Sequence, residues 1–518
     1  MNRRTFLSAS ALAPLPLAAR AAQARRPPNI VFIFSDDHTW QAVSAYGRNL
    51  NHTPNIDRIA REGVRFDNCL ITNSICAPSR AVVLTGKYSH KNGILDNRQT
   101  FDGAQPTLPK YLKQRGYETA LFGKWHLKSN PTGFDAWEVL PGQGSYYNPD
   151  FITPSGNRRR EGYVTDITAG LSLDWLNNGR DKSKPFLLMC QQKAPHRNWM
   201  PGPDKLYMFD GVTFPEPPNL FDNYENRATS ARKQAMEIDR HMSLLADLKI
   251  TPDGDLKESP DYKRFLGEYG RMNPAQRRMW DAAYAPRNAA FHRAKLEGRD
   301  LVRYKYQRYL QDYLRCVASV DDSVGRLLGW LDANGEAENT LVIYASDQGF
   351  FLGEHGWYDK RWIYEESLRT PCVARFPGLA RPGQVADAMV SNVDFAPTML
   401  EAAGLPVPAD MQGRSMMPIL RGETPPNWRQ SFYYHYYETG VHDVEPHDGV
   451  RTDRFTLACY HQLGEWELFD RMKDPHQMRS VYHDPAYAQV RAQLEAELTR
   501  LRRELEVPED HYRRGAGA

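Results

Sequence analysis

Cysteine is scarce in this chain. Its 518 residues include only six cysteines, and none of them forms a Cys-x-x-Cys pair or has the spacing of a metal knuckle. A disulfide framework of the kind that holds small secreted domains together is therefore not expected. A single disulfide remains an alternative, because spacing alone cannot show which two cysteines would form it. The cysteines are Cys69, Cys76, Cys190, Cys316, Cys372 and Cys459.

Long apolar stretches and a strong excess of one charge are also missing. After the first residues, no stretch offers the ~20 consecutive apolar residues of a membrane-spanning helix. The net charge of +3 is too small to indicate nucleic acid or an anionic membrane as the main partner. With 41% hydrophobic and 25% charged residues, a chain of this length can bury a large core and form more than one domain.

The N-terminal residues differ in composition from the rest. Arg3 and Arg4 precede a weakly apolar run, and Ala22-Gln23-Ala24 has the small residues of a cleavage site. This pattern predicts an export signal over residues 1–24, and its arginine pair resembles a twin-arginine signal. A disordered basic tail is the alternative. We therefore expect a bacterial periplasmic or secreted protein without a membrane anchor.

Four apolar runs have the composition of strands buried on both faces of a parallel sheet. Each is followed at once by polar residues, and in open α/β sheets ligands bind beyond the carboxyl ends of the strands. We therefore predict an α/β fold with a large, mixed, mainly parallel central sheet flanked by helices. The runs are 29–34, 117–122, 185–190 and 340–345.

Carboxylates follow the first and the last of these runs. Asp36 and Asp37 come after the first run, and Asp347 and Gln348 come after the fourth. Adjacent carboxylates at the end of a buried strand are costly to bury unless a cation lies between them. Oxygen ligands suit Ca²⁺ or Mg²⁺. We predict a Ca²⁺ site here, with Mg²⁺ as the alternative ion and a solvated acidic loop as the alternative interpretation.

The segment Cys76-Ala77-Pro78-Ser79-Arg80 predicts the beginning of a helix. Pro78 suits an early helical position, and an apolar run follows. The N-terminus of a helix attracts anions, and Arg80 would add a positive charge one turn later. Followed by Thr85-Gly86, the segment resembles the signature of the type I sulfatases of the alkaline phosphatase superfamily. A buried cysteine that only packs is the alternative.

The resemblance implies a chemistry for Cys76. In that family a maturation enzyme oxidises this cysteine to formylglycine, whose hydrated aldehyde provides the nucleophilic hydroxyl, and the resemblance also makes residue 76 a metal ligand. Arg80 would then stabilise charge on the sulfate oxygens. The family commonly has asparagine where this chain has Gln348, so direct metal ligation by Gln348 is less secure than ligation by Asp347.

Further site residues follow the second and third runs. The segment Gly123-Lys124-Trp125-His126 places a cation and a titratable ring beyond a strand end, and it resembles a segment of the sulfatases that contributes both. The resemblance implies that Lys124 binds sulfate and that His126 assists release of the sulfated intermediate. It also implies that His196 is the general acid and that Lys360 is a second sulfate-binding lysine.

Changes in composition and periodicity divide the chain into three parts. After the signal, residues 25–424 are predicted to form the catalytic domain, including a charged insertion at about 202–301 that covers the active-site face. Residues 425–518 alternate like short antiparallel strands and end in an amphipathic helix. We expect a smaller C-terminal α+β subdomain there.

These residues favour hydrolysis of a sulfate monoester. The runs 133–144 and 193–199 are similar to bacterial carbohydrate sulfatases of the N-acetylglucosamine-6-sulfatase kind. The resemblance implies a sulfated carbohydrate substrate, such as 6-O-sulfated N-acetylglucosamine. A phosphomonoester or phosphodiester hydrolase on the same fold is the first alternative, because phosphate and sulfate are similar tetrahedral anions. A non-catalytic binder of sulfated glycans is the second.

Overall fold

A computed structural model describes residues 26–252 and 260–512, whose strands form one large sheet and three smaller ones. In chain order the strands are β1 (Asn29–Ser35), β2 (Val64–Phe66), β3 (Cys69–Leu70), β4 (Glu118–Lys124), β5 (Ala136–Leu140), β6 (Asp150–Thr153), β7 (Gly156–Arg159), β8 (Phe186–Gln191), β9 (Thr340–Ser346), β10 (Phe351–Leu352), β11 (Tyr358–Asp359), β12 (Cys372–Arg375), β13 (Gln384–Ala386), β14 (Val390–Ser391), β15 (Ser431–Tyr436), β16 (His447–Thr452), β17 (Phe455–Tyr460) and β18 (Glu465–Asp470).

The α-helices lie mainly between these strands. They are α1 (Pro54–Arg61), α2 (Cys76–Thr85), α3 (Ser89–Asn92), α4 (Leu108–Gln114), α5 (Val164–Asp174), α6 (Thr229–Lys233), α7 (Pro260–Tyr269), α8 (Pro274–Ala294), α9 (Gly298–Ala333), α10 (Glu365–Leu368), α11 (Phe395–Ala402), α12 (Met417–Leu420) and α13 (Ala488–Glu504). Across residues 26–252 and 260–512, no helix combines the length and the apolar character that crossing a bilayer requires.

The large sheet has ten strands in the order β13-β2-β12-β9-β1-β8-β4-β5-β6-β7. Its centre is parallel, because β1 pairs in parallel with β8 and β9, and β4 pairs in parallel with β5 and β8. Antiparallel strands lie towards both edges: β12 on one side, β6 and β7 on the other. The predicted mixed, mainly parallel sheet is confirmed, and the four apolar runs are β1, β4, β8 and β9.

Helices cover both faces of this sheet. Side chains alternate along β1, so Val31 and Ile33 join one apolar cluster while Ile30, Phe32 and Phe34 join the other. The first cluster includes buried residues of α1, α5 and α9, and the second includes residues of α2, α4 and α11. Burial on both faces explains why the central strands are continuously apolar rather than alternating.

The charged region at about 202–301 packs against the scaffold helix α9. Trp280 and Tyr284 of α8 belong to the same apolar cluster as α9, and the Tyr284 hydroxyl donates to Asp312 at 2.8 Å. Lys249 also donates to Asp312, at 2.9 Å. The described residues of this region therefore share the core of the main domain.

The C-terminal part contains an antiparallel sheet in the order β15-β16-β17-β18, with α13 packed against it. Leu494, Leu498 and Leu501 of α13 join the cluster that holds Val450 and Leu457 of the sheet. The smaller α+β subdomain predicted at this end is confirmed as part of the fold. Its predicted start at residue 425 remains a prediction.

All six cysteines are buried and free, so the one disulfide left open by the sequence is not formed.

Gly123 lets strand β4 lie close to its neighbour β8. It has φ of +102°, and a Cβ there would lie 1.9 Å from the backbone oxygen of Gln191 on β8. Gly116, just before β4, has a similar φ of +85° but open space around its Cβ position.

We expect Gly123→Ala to destabilise the protein by several kcal/mol more than Gly116→Ala. Both variants pay the left-handed backbone cost of ~1–2 kcal/mol, but only the first pushes β4 and β8 apart. Thermal denaturation of both variants measures the difference. Equal melting temperatures would show that the close approach of the two strands is unimportant.

Candidate active site

Parallel pairing brings the four predicted metal-binding residues together. Ser35 pairs with Ser346 at the last position of β1 and β9, so the residues that follow emerge side by side. Carboxylate oxygens of Asp36, Asp37 and Asp347 all lie within 4.8 Å of one another, and all three side chains are fully buried. The backbone N–H of Asp37 donates to Asp347 at 3.0 Å. Three like charges thus share one small buried volume.

Cys76 is the first residue of α2 and lies against this carboxylate cluster. Its Sγ is 3.3 Å from Oδ1 of Asp36 and 3.8 Å from Nε2 of Gln348. Burial, followed by the charge of Asp36, raises the pKa of the Cys76 thiol to about 12. The thiol is therefore protonated at neutral pH, and a protonated thiol is a poor nucleophile.

Arg80 neutralises one carboxylate from the same helix. Its Nε and Nη2 donate to Asp347 Oδ2 at 3.1 and 2.9 Å, and its Nη1 donates to Gln191 at 2.6 Å. A fixed guanidinium one turn after Cys76 keeps a permanent positive charge beside the helix N-terminus, and this charge favours a tetrahedral anion there.

Two buried lysines complete the positive charge. Lys124, the last residue of β4, donates to Asp36 and to Gln143. Lys360 donates to Asp37 at 2.7 Å. Both ammonium groups thus contact the carboxylates that surround Cys76. Three cations therefore face three carboxylates in this buried site.

The nearby cations do not stabilise the three carboxylates equally. Burial alone would raise the pKa of Asp36, but Lys124 and other nearby cations hold it well below the usual value. The pKa of Asp347 is raised well above its usual value, first by burial and then by the charge of Asp36. Arg80 opposes this shift without cancelling it. One more cation among these oxygens would therefore stabilise the ionised cluster.

Both predicted histidines lie at the site. His196 Nε2 is 3.8 Å from Asp37 Oδ2, and its Nδ1 is 2.5 Å from the backbone oxygen of Arg197. His126 has a left-handed backbone, with φ of 59°. Burial lowers the pKa of both rings well below the usual value. Each ring is therefore neutral at pH 7 unless a bound anion raises its pKa.

The donor set fits a hard divalent cation. Asp36, Asp37 and Asp347 supply carboxylate oxygens, and the buried Oε1 of Gln348 has no hydrogen-bond partner among the described residues. Ca²⁺ and Mg²⁺ prefer such oxygen ligands. The structure thus brings together every residue predicted for the site: Asp36, Asp37, Cys76, Arg80, Lys124, His126, His196, Asp347, Gln348 and Lys360.

Several polar residues around this site were not predicted from the sequence. Gln191, the last residue of β8, accepts from Arg80, and Gln143 accepts from Lys124. Asp359 and Arg361 flank Lys360 with left-handed φ of 83° and 91°, and Arg361 pairs with Glu438. Gln191 could have been found, because it ends a buried strand as the predicted residues do. Gln143, Arg361 and Glu438 lie in loops whose path the sequence does not reveal, and Asp359 ends the two-residue strand β11, which is too short to show a pattern.

Comparisons with known proteins agree with this geometry. The profile of the Sulfatase family matches residues 28–405, and the profile of the N-sulphoglucosamine sulphohydrolase C-terminal region matches residues 353–504. An N-acetylglucosamine-6-O-sulfatase of Bacteroides thetaiotaomicron is 48% identical over 494 residues, covering 93% of this chain and 88% of that protein. Human N-acetylglucosamine-6-sulfatase is 28% identical over 455 residues, covering 82% and 70%.

A similar solved structure is described as a complex with its substrate, D-glucosamine-2-N,6-O-disulfate. It has a TM-score of 0.90 and 47% sequence identity, and the match covers 93% of this chain and 98% of that one.

We expect Asp347→Asn to weaken divalent-cation binding at least tenfold, or about 1.4 kcal/mol, because it removes a charged ligand. Without divalent ions, the variant should be as stable as the unaltered protein or more stable, since one of three like charges is gone. Melting temperatures with a chelator and with added Ca²⁺ test both statements. Asp332→Asn, which alters an exposed partner of Arg58, is the control and should keep the full Ca²⁺-dependent shift. An undiminished shift in Asp347→Asn would contradict the metal assignment.

Proposed function

The chain belongs to the sulfatase family, and we propose that it hydrolyses the 6-O-sulfate ester of N-acetylglucosamine or glucosamine in sulfated carbohydrates. One observation carries the reaction type: Cys76 begins a helix 3.3 Å from a buried carboxylate, and Arg80, Lys124 and Lys360 surround the same cluster. The assignment of the sugar rests on the similar proteins: the name of one and the bound substrate of another refer to 6-O-sulfated glucosamine.

The nucleophile comes from Cys76 in this proposal. The thiol itself is a poor candidate, since its pKa is raised to about 12 by burial. A maturation enzyme is proposed to oxidise it to formylglycine, and the hydrated aldehyde supplies a hydroxyl that attacks sulfur. The position at the N-terminus of α2 supports this, because the positive end of the helix dipole favours an anion beside residue 76.

Three cations of this chain hold the sulfate. Arg80 is fixed by its two bonds to Asp347, so its orientation needs no rearrangement when the anion enters. Lys124 and Lys360 contact Asp36 and Asp37 from separate elements. Preorganised positive groups of this kind stabilise the charge that develops on the equatorial oxygens in the transition state.

A divalent cation, proposed to be Ca²⁺ with Mg²⁺ as the alternative, is assigned to Asp36, Asp37, Asp347, Gln348 and residue 76. When bound, it supplies Lewis-acid stabilisation of the sulfate oxygens and lowers the pKa of the nucleophilic hydroxyl. Two observations support this ligand set: the pKa of Asp347 stays raised despite its pairing with Arg80, and Oε1 of Gln348 is buried without a hydrogen-bond partner among the described residues.

His196 is proposed to protonate the departing sugar oxygen. Its Nδ1 faces the backbone oxygen of Arg197 and therefore carries a proton, which leaves Nε2 as the nitrogen that faces the site. The nearby carboxylates can hold a second proton on this ring when the anion is bound. His126 is assigned to the later step, in which the sulfated enzyme is broken down.

The final part of the proposal is that the folded protein is exported from the cytoplasm. The twin-arginine pattern in residues 1–24 lies outside the described residues, and its support is the sequence alone. Transport of folded protein would let oxidation of Cys76 precede export to the periplasm or beyond.

The proposed substrate is tested on a panel of glucosamine and galactosamine monosaccharides, each sulfated at one position, with aryl sulfate and aryl phosphate as further substrates. We expect kcat/KM for the 6-O-sulfated glucosamine compounds to exceed the others at least tenfold, or about 1.4 kcal/mol. Mass analysis of the peptide containing residue 76 from the same preparation shows whether the thiol has become an aldehyde. A preference for phosphate, or full activity with an unmodified thiol, would overturn the proposal.

We expect His196→Ala to lower kcat/KM on the sugar sulfate by about 10²–10⁴-fold, because the alkoxide leaves poorly without a proton. The loss should be much smaller on a nitrophenyl sulfate, whose leaving group needs no acid. His126→Ala is the matched control, and its effect should not depend on the leaving group in this way. Equal losses on both substrates for His196→Ala would exclude it as the general acid.

A further inference from the structure

Two short segments of the chain meet beside the sulfate site. Residues 196–199, which we call the acid loop, begin with the proposed general acid His196. Residues 246–249, which we call the clamp, belong to the charged region at about 202–301. Hydrogen bonds join the clamp to all three residues that follow His196 in the acid loop. The charged region therefore contacts the surroundings of the general acid directly.

Two of these contacts are made by side chains of the acid loop. Arg197 donates from Nε and Nη2 to the two carboxylate oxygens of Asp247, at 2.7 and 2.6 Å. Asn198 donates from Nδ2 to the backbone oxygen of Ala246 at 2.7 Å. Two parallel bonds between a guanidinium and a carboxylate fix the orientation of both groups as well as their distance. The acid loop is therefore held at two successive residues.

The third contact ties the acid loop to the scaffold. Lys249 donates from Nζ to the backbone oxygen of Trp199 at 2.7 Å and to Asp312 of α9 at 2.9 Å. Leu248 belongs to the apolar cluster that includes buried residues of α9. The clamp is thus anchored on a helix of the main domain, and its contacts fix the acid loop relative to that helix.

Asp247 is the charged member of the clamp that faces the acid loop. Its side chain is 0% exposed, and it also accepts from the backbone N–H of Ser243 at 2.9 Å. Burial alone would raise the pKa of Asp247, but Arg197 holds it below the usual value. The carboxyl group is therefore ionised at neutral pH, and hydrogen bonds between two ionised groups are about twice as strong as neutral ones.

The general acid depends on a backbone atom of the same arginine. Nδ1 of His196 is 2.5 Å from the backbone oxygen of Arg197, and its Nε2 is 3.8 Å from Oδ2 of Asp37. The hydroxyl of Tyr146 donates to the backbone oxygen of His196 at 2.5 Å. A shift of Arg197 would move the carbonyl that orients the His196 ring. Misplacement of a catalytic group by about 1 Å can cost about 100-fold in rate.

The side chain of Arg197 is engaged within the protein. An arginine that binds an anion through two parallel bonds presents an edge of its planar guanidinium. The edge formed by Nε and Nη2 is occupied by Asp247, and Cζ lies 4.9 Å from the centroid of the Tyr358 ring. These contacts favour a role in placing the acid loop over a role in binding an acidic sugar.

We propose that Asp247 is a positioning residue for the general acid. Through its two bonds to Arg197, it holds the carbonyl that orients His196, so that Nε2 faces the departing sugar oxygen. The inference rests on the proposed function, in which His196 protonates that oxygen. Asp247 takes no part in the proton transfer itself. The charged region thus completes the active site instead of only covering it.

Asp247→Asn tests this role, because it keeps the shape of the side chain but removes its charge and one acceptor oxygen. In the mature enzyme we expect kcat on the sugar sulfate to fall about tenfold or more, with a much smaller loss on nitrophenyl sulfate, whose leaving group needs no acid. KM should change little on either substrate, because the cations that hold the sulfate are untouched.

Asp222→Asn is the matched control. The side chain of Asp222 is also 0% exposed, and it pairs with Arg227 in the same charged region. Neither residue forms a hydrogen bond with the acid loop. We expect this variant to lower the melting temperature about as much as Asp247→Asn does, and to leave the ratio of kcat between the two substrates unchanged. A changed ratio in Asp247→Asn then cannot come from the loss of a buried ion pair as such.

Combination of Asp247→Asn with His196→Ala tests whether Asp247 acts through the histidine. We expect the double variant to stay within about twofold of His196→Ala on the sugar sulfate, because the acid that Asp247 positions is already gone. Residues that act independently would multiply their losses. If Asp247→Asn does not fold, Asn198→Ala takes its place in these measurements, since it removes the neighbouring bond to Ala246 and should give the same pattern.

The positioning role would be overturned by equal losses on the two substrates, by a loss confined to KM, or by losses that multiply in the double variant. Unchanged kcat in Asp247→Asn, beside a selective loss on the sugar sulfate in His196→Ala, would refute the positioning role alone. If His196→Ala itself shows equal losses on both substrates, the proposed general acid is refuted, and the positioning role is refuted with it.

Discussion

Burial of opposite charges at one edge of the central sheet is the constraint on which the active site depends. Asp36, Asp37 and Asp347 are fully buried, and each contacts a cation from another part of the chain. Unpaired, such charges would be too costly to bury. Helix α2, the end of β4 and the loop after β11 must therefore all be in place for the cluster to be stable. The chemistry and the fold consequently rest on the same contacts.

Two cysteines illustrate how surroundings set the chemistry of one residue type. Burial raises the pKa of both Cys76 and Cys459 to about 12. Cys76 lies among carboxylates and cations at a helix N-terminus, where an oxyanion is favoured and a hard cation fits. Cys459 lies 3.5 Å from Nδ1 of His461, in the apolar cluster that the C-terminal sheet forms with α13. The first surroundings suit ester hydrolysis, whereas the second bury the thiol in the core of the smaller subdomain.

Most of the fold could be predicted because its signals are local. Continuous apolar runs identified β1, β4, β8 and β9, and the alternating pattern near the C-terminus indicated the antiparallel sheet. The site residues were found because each follows a strand end or begins a helix. The segment from Cys76 to Arg80 resembles a known family signature, and this resemblance supplied the chemistry. Gln143 and Arg361 were missed because their loops have no periodicity that fixes where a side chain points, and Asp359 was missed because β11 is only two residues long.

The sequence by itself determined which residue types follow each buried strand, because apolar continuity and polar interruption are local properties of the chain. It also determined that Cys76 begins a helix, through Pro78 and the apolar residues after it. Only the tertiary structure decided that Asp36 and Asp347 meet, because residues more than 300 positions apart become neighbours through the pairing of β1 with β9. It also decided that Asp247 pairs with Arg197, because the clamp is placed by packing against α9 and not by any local pattern in the chain.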